Sequence, residues 1–287
     1  MAAARKRKPW RKILYEKQDY PDNYCGPEFL EGLKTNVTAQ TYGFWQSVRG
    51  SCVLMQQIDS VLLYVILFCC VYMDLLDWSS LFLVSLLSSV SMYAMLVRYK
   101  WTASKDLLLA HGKTLAVFVG FGYGMSPVLR TLTETISTDT IYAMAVFMFL
   151  LGLAFYDYGV DVAIVSSSMS LNASLFGAVC LISRLPTANH AFTLLALCVQ
   201  LLVLWPMLRG WIGEKFAFGD VWVTVLQSSA VLVGFIFVSP VTSLLFLALH
   251  AFISLVCPWW LMVMQPMKST IHGPWDEAII EELSQTL

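Results

Sequence analysis

The chain of 287 residues is 58% hydrophobic and 13% charged, against roughly 45–50% and 25% in an average soluble domain. A mean hydropathy of +0.68 excludes a water-soluble fold, because one core cannot hide so much apolar surface, and points to lipid as the solvent. With 18 Lys+Arg against 19 Asp+Glu the net charge is -1, so no overall field draws the chain to nucleic acid.

Taken in order, the first 50 residues are a polar appendage opening on Arg5-Lys6-Arg7-Lys8-Pro9-Trp10-Arg11-Lys12. Such a basic cluster suits the cytosolic flank of a membrane span, where it meets anionic headgroups. After Pro27, the residues Phe29, Leu30, Leu33, Val37, Phe44, Trp45 and Val48 recur at helical spacing, with Glu28 and Glu31 in the first turn. This predicts an amphipathic helix lying in the interface or gripping a partner helix. Continuous apolar stretches then follow near 51–73, 78–97, 113–130, 140–156, 160–183, 190–209, 221–239 and 241–264. Each fits the ~20 residues that a helix needs to cross a bilayer. None alternates as barrel strands do. The expected fold is all-α: a polytopic membrane helical bundle over 51–264 with about eight transmembrane helices. Residues 1–50 form a cytosolic N-terminal appendage and 265–287 a cytosolic C-terminal tail.

Sidedness follows from the basic residues. Eight spans leave only Arg130 and Arg184 opposite the N-terminus, so both termini are expected to be cytosolic. The third span ends in Gly120, Gly122, Gly124 and Pro127, residues that also suit a re-entrant loop. The seven-span alternative that results divides Lys and Arg almost as unevenly. A full helix is preferred because Pro127 stands near its end.

Ionisable groups at membrane depth cost ~2.5–3.5 kcal/mol each, which singles out Asp59, close to Gln56 and Gln57; it is expected to bond across helices. In the hydroxyl-rich stretch 122–140, Arg130 and Glu134 are four apart, and Ser137 or Asp139 can cap the helix opening at Thr140. A guanidinium at Arg130 would also suit a phosphate. Asp157 and Asp161 share one face if their helix is continuous and could then hold Mg²⁺, but Gly159 between them favours a turn. The small residues of Ser166-Ser167-Ser168, Ser170, Asn172, Ala173 and Ser174 suit close helix packing. Seven cysteines and four histidines show no metal-ligand spacing, and Gly120-Phe121-Gly122-Tyr123-Gly124 lacks the strand-to-helix setting of a phosphate loop. No catalytic residue, metal ligand or cofactor is expected.

Several stretches together carry a family likeness: Leu14-Tyr15-Glu16-Lys17-Gln18 with Tyr20-Pro21-Asp22-Asn23-Tyr24, Ser126-Pro127-Val128-Leu129, Ser137-Thr138-Asp139-Thr140-Ile141-Tyr142, Asp157-Tyr158-Gly159, Ser183-Arg184-Leu185-Pro186, Leu204-Trp205-Pro206-Met207-Leu208 and Ile271-His272-Gly273-Pro274-Trp275-Asp276. The chain resembles the PIG-C family, membrane subunits of the phosphatidylinositol N-acetylglucosaminyltransferase (GPI-GnT) complex. The resemblance implies a non-catalytic, multi-pass subunit of the endoplasmic reticulum membrane. Its complex transfers N-acetylglucosamine from the UDP sugar to phosphatidylinositol, the first step of glycosylphosphatidylinositol anchor synthesis. Implied partners are a PIG-A-like catalytic glycosyltransferase subunit, other membrane subunits, phosphatidylinositol and bilayer lipid. Candidate lipid or partner contacts are Arg130, Glu134, Asp139, Asp157, Asp161, His272, Trp275 and Asp276. The alternative is an integral-membrane, metal-dependent transferase acting on a lipid through Asp157 and Asp161. A transporter or scramblase would call for repeat similarity between the two halves, which the sequence lacks.

Overall fold

The computed structural model describes residues 9–11, 13, 15–21, 24, 34–35, 41–99, 105–131, 135–159, 165–267 and 271–272. Backbone groups in hydrocarbon have no water to bond, so apolar segments satisfy them internally as helices. Among the described residues eight helical segments follow one another: α1 (Phe44–Tyr72), α2 (Trp78–Tyr99), α3 (Lys105–Thr131), α4 (Thr138–Ala154), α5 (Ser167–Ile182), α6 with α7, α8 (Gly219–Val238), and α9 with α10. The sixth is continuous from α6 (Ala188–Val199) through a π-helical turn (Gln200–Leu204) into α7 (Trp205–Lys215). The eighth likewise joins α9 (Pro240–Ala251) through Phe252–Val256 to α10 (Cys257–Met264). The chain divides into two compact units, one of Phe44–Trp259 and one of Met1–Gly43 with Trp260–Leu287. In the latter, β1 (Lys34–Thr35) pairs antiparallel with β2 (Ile271–His272).

The all-helical bundle matches the expectation, with local differences. α1 starts at Phe44, so Phe44, Trp45 and Val48 lie in its first turns, whereas Lys34 and Thr35 are extended. Residues 41–43 are not helical either, and the rest of the stretch expected to be an amphipathic helix lies outside the described residues. α3 runs through Gly120, Gly122, Gly124 and Pro127 without a reversal of the chain. It packs against α6. A Cβ on Gly122 would stand 3.3 Å from Leu195 of α6, and the buried Ser126 hydroxyl donates to the Ala188 carbonyl at 2.5 Å. Among the described residues five segments are long and apolar enough to cross a membrane: Phe44–Tyr72, Trp78–Arg98, Ala188–Lys215, Gly219–Val238 and Pro240–Met267. Thr138–Ala154 and Ser167–Ile182 are apolar but shorter.

Helix ends gather in two sets. At one end, the Phe68 ring of α1 meets Tyr142 of α4, Trp78 of α2 approaches His190 of α6, and Arg184 after α5 donates to the Ile136 carbonyl before α4 at 3.0 Å. At the other, Tyr93 of α2 bonds His111 of α3 at 2.9 Å. There too Gln56 of α1 reaches the start of α8, and Arg209 of α7 reaches Tyr156 after α4. Successive segments therefore run in alternating directions. The core lies between them, around the fully buried Tyr64 of α1, whose hydroxyl donates to the Ala178 carbonyl of α5 at 3.4 Å. α4 and α5 form the closest pair, seated on Gly152 and Gly177.

Candidate functional site

Four residues of α1, Gln56, Gln57, Asp59 and Ser60, put polar groups into the bundle interior, none more than 2% exposed. In lipid each needs a partner on another helix. Gln56 Nε2 donates to the Asp220 carbonyl at 2.9 Å and to Thr224 Oγ1 at 3.0 Å. Gln227 of α8 donates to the Gln56 carbonyl and to Ser60 Oγ, both at 2.9 Å, while its Oε1 accepts from Trp205 Nε1 at 2.8 Å. Ser228 donates to Asp59 Oδ2 at 2.5 Å. α1, α7 and α8 are thereby held by one hydrogen-bonded seam, the bonding across helices that Asp59, Gln56 and Gln57 lead one to expect.

Arg209 closes the seam at its open end. Its side chain is 3% exposed. Nη2 donates to Gln57 Oε1 at 2.5 Å and to the Tyr156 hydroxyl at 2.9 Å, and the guanidinium lies 5.5 Å from the Tyr156 ring centre. Nη1 is buried and has no hydrogen-bond partner, as is true of Asp59 Oδ1. Two buried unsatisfied polar atoms in one network are unusual, since each carries a desolvation cost of about 1–3 kcal/mol or more.

Arg209 lines a cleft of about 590 Å³, walled by Gln56 of α1, the turn Tyr156–Gly159, Glu214 of α7 and Asp220 of α8. The turn is shaped by its own side chains. α4 ends at Ala154, Asp157 Oδ1 accepts from the Gly159 N–H at 2.8 Å, and Gly159 takes a φ of +78°, which favours glycine. The Tyr158 hydroxyl donates to the Leu153 carbonyl at 2.6 Å; burial pushes its pKa up to about 12, so it stays a donor at neutral pH. Gly213 leaves space for the Asp220 carboxylate, which any Cβ there would strike. A second cleft of about 310 Å³ shares Tyr156 and Asp157 and is otherwise walled by Gln57, Ser167, Ser170, Leu171, Ser174, Leu202, Val203 and Met207.

Of the residues expected at a site, Asp157 alone is brought to this cleft among those described. Asp139 lies in the first turn of α4, at the opposite end of that helix, and the cap there is Ser137, which accepts from the Thr140 N–H. Arg130 is in the last turn of α3, its side chain not among those described, and His272 is known by its backbone pairing with Lys34. Glu134, Asp161, Trp275 and Asp276 lie outside the described residues. The continuous helical face that would join Asp157 to Asp161 does not form, because the chain leaves the helix at Phe155 and turns at Gly159. Arg209 is the residue that sequence reasoning passes over, counting it only as a cytosolic charge. Its signal is an arginine that closes a long apolar run between Trp205-Pro206 and Gly210.

The chain matches the GPI2 family, described as Phosphatidylinositol N-acetylglucosaminyltransferase, over residues 10–276. It belongs to that family. Among similar proteins, a Bos taurus relative named as a subunit of phosphatidylinositol N-acetylglucosaminyltransferase is 44% identical, over 95% of this chain and 93% of the relative. Its Homo sapiens namesake is 43% identical over the same shares. The GPI2 subunit of Schizosaccharomyces pombe is 33% identical over 95% of this chain and 87% of its own length. No solved structure matches significantly. The GPI2 match takes in every element that builds the cleft.

Proposed function

We infer that this chain is a membrane subunit of the complex that transfers N-acetylglucosamine from its UDP form to phosphatidylinositol, the first step of glycosylphosphatidylinositol anchor synthesis. The observation that carries this reading is 44% identity, nearly end to end, to a relative named as a subunit of that transferase. The chain's part is that of a platform. It holds a PIG-A-like catalytic subunit and further membrane subunits against the bilayer, so that donor and lipid meet in a fixed geometry rather than by diffusion.

The setting is the endoplasmic reticulum membrane. Alternation of the eight helical segments supports eight crossings, and the basic residues favour cytosolic termini, with residues 1–50 and 265–287 on that face. The cleft around Arg209 then opens toward the cytosol, where the UDP sugar is. Two measurements test the reading. Gentle solubilisation should recover a glycosyltransferase subunit with this chain, and the chain purified alone should not turn over UDP-N-acetylglucosamine with phosphatidylinositol. Turnover by the isolated chain, or recovery without any transferase subunit, would overturn it.

A further inference from the structure

We propose that the Arg209 cleft seats the headgroup of an inositol phospholipid, with the phosphodiester on the Arg209 guanidinium and the inositol hydroxyls on the carboxylates around it. This rests on the reading of the chain as a subunit of a phosphatidylinositol-modifying complex and names where in the chain the lipid is held.

Four observations carry it. Arg209 is 3% exposed, lines the cleft and has a nitrogen without a hydrogen-bond partner. Among the described residues no carboxylate is hydrogen-bonded to this guanidinium, whose planar fork suits a phosphate. Its other bonds, to Gln57 and the Tyr156 hydroxyl, fix its position without neutralising it. Next, Asp157, Glu214 and Asp220 line the same cleft. Three carboxylates would repel a pyrophosphate, whereas a phosphodiester bears one negative charge and a polyol offers hydroxyl donors that carboxylates accept. The pattern of one cation and several acceptors therefore matches a phosphorylated polyol rather than a nucleoside diphosphate.

The third observation is the neighbouring cleft. It shares Tyr156 and Asp157 with the first and presents Leu171, Leu202, Val203 and Met207. A polar chamber beside a second one with an apolar stretch of wall suits an amphiphile, headgroup in the first and the upper part of an acyl chain along Leu171, Leu202, Val203 and Met207 of the second. The fourth is local build. The turn Tyr156–Gly159 is fixed by Asp157 on Gly159 and by Tyr158 on Leu153, so one wall of the chamber is preorganised.

The test uses the full chain, purified in mild detergent and exposed to equal amounts of phosphatidylinositol, phosphatidylserine and phosphatidylcholine, with retained lipid read by native mass spectrometry. Phosphatidylinositol should be retained at least five-fold over the other two. Soluble glycerophosphoinositol, which keeps the singly charged phosphodiester, should displace it and UDP-N-acetylglucosamine should not. Arg209→Met should remove the preference. Glu214→Gln, at a residue outside the hydrogen-bonded seam, should lower the preference over phosphatidylserine at least two-fold while the chain remains folded, which keeps the test decisive if Arg209→Met fails to assemble. Equal retention of the three lipids, displacement by the UDP sugar, or an unchanged preference in Glu214→Gln together with any folded Arg209→Met overturns the proposal. The same samples are probed for co-purified transferase subunits. Their presence without lipid preference defeats the cleft and spares the subunit reading, and selective lipid retention without them does the reverse.

Discussion

Two helix seams hold this bundle by different chemistry. Between α4 and α5 the contact is one of small residues. A Cβ on Gly177 would stand 3.2 Å from the Ala145 carbonyl and from the Phe149 ring of α4, and Ser170 Oγ donates to the Gly152 carbonyl at 2.6 Å. Between α1 and α8 the contact is made by amides and hydroxyls, Gln56, Ser60, Thr224, Gln227 and Ser228. Lipid gives no hydrophobic drive for helices to associate, so close packing and interhelical hydrogen bonds are the two routes left. The packed seam is bonded to completion at its serine; the polar seam leaves Asp59 Oδ1 and Arg209 Nη1 without partners. The contrast separates a joint bonded to completion from one in which Arg209, a residue that lines a cleft, keeps a nitrogen without a partner.

Filling the packed seam should have the largest effect. Gly177→Leu forces a side chain against the Ala145 carbonyl and Phe149, and overpacking with backbone displacement should cost about 3 kcal/mol or more. The expected result is loss of monodisperse protein in size-exclusion chromatography. In the polar seam, Gln227→Leu strands Trp205 Nε1 and takes the donor away from Ser60 Oγ and the Gln56 carbonyl. Interhelical hydrogen bonds in lipid average ~0.6 and reach ~1.7 kcal/mol each, so a loss of about 1–2 kcal/mol is expected in thermal unfolding in detergent. Ser170→Ala removes a single bond in a seam whose shape is unchanged, and should cost about 0.6 kcal/mol in the same assay. If Ser170→Ala proves more damaging than Gln227→Leu, the division between the two seams fails.

The smallest effect lies outside both seams. Asp77, just before α2, accepts from the Ser79 hydroxyl and from the Ser80 N–H, and these bonds lower its pKa from the usual 3.8. A carboxyl whose pKa is depressed by folding contributes stability that is present above its unfolded value and is lost as the pH falls through the folded one. Asp77→Asn should therefore flatten the acid limb of an unfolding-temperature profile below pH about 4 and leave the neutral range nearly unchanged.

Much of the bundle is legible in the sequence, because a continuous apolar run of span length has few alternatives in lipid. The expected runs at 78–97 and 221–239 fall within two residues of α2 and α8. Asp59 is legible too, as a charge that a membrane helix can accommodate only against a partner. What composition cannot read is where a helix stops inside a polar stretch. The pairing of Asp157 with Asp161 presumes an unbroken helix, whereas the helix has ended at Ala154 and the chain turns at Gly159. Nor can spacing along one helix show that Arg209 meets residues 152 and 53 positions away. Those neighbours belong to the packing of α1, α7 and the α4 turn, which is a property of the tertiary fold.

The π-helical turn at Gln200–Leu204 carries a consequence for that arrangement. An α-helix advances about 100° per residue, and a π-turn accommodates one residue more than the ladder around it. The segment can therefore present one stripe to α3 and α5 early in its course and a rotated stripe to α1 and α8 later. Removing a single residue from this insertion would restore a uniform ladder and swing the downstream half by about a quarter of a revolution, carrying the guanidinium of Arg209 away from its amide and phenol neighbours. One surplus peptide unit thus sets the azimuth at which the only buried cation among the described residues faces its chamber.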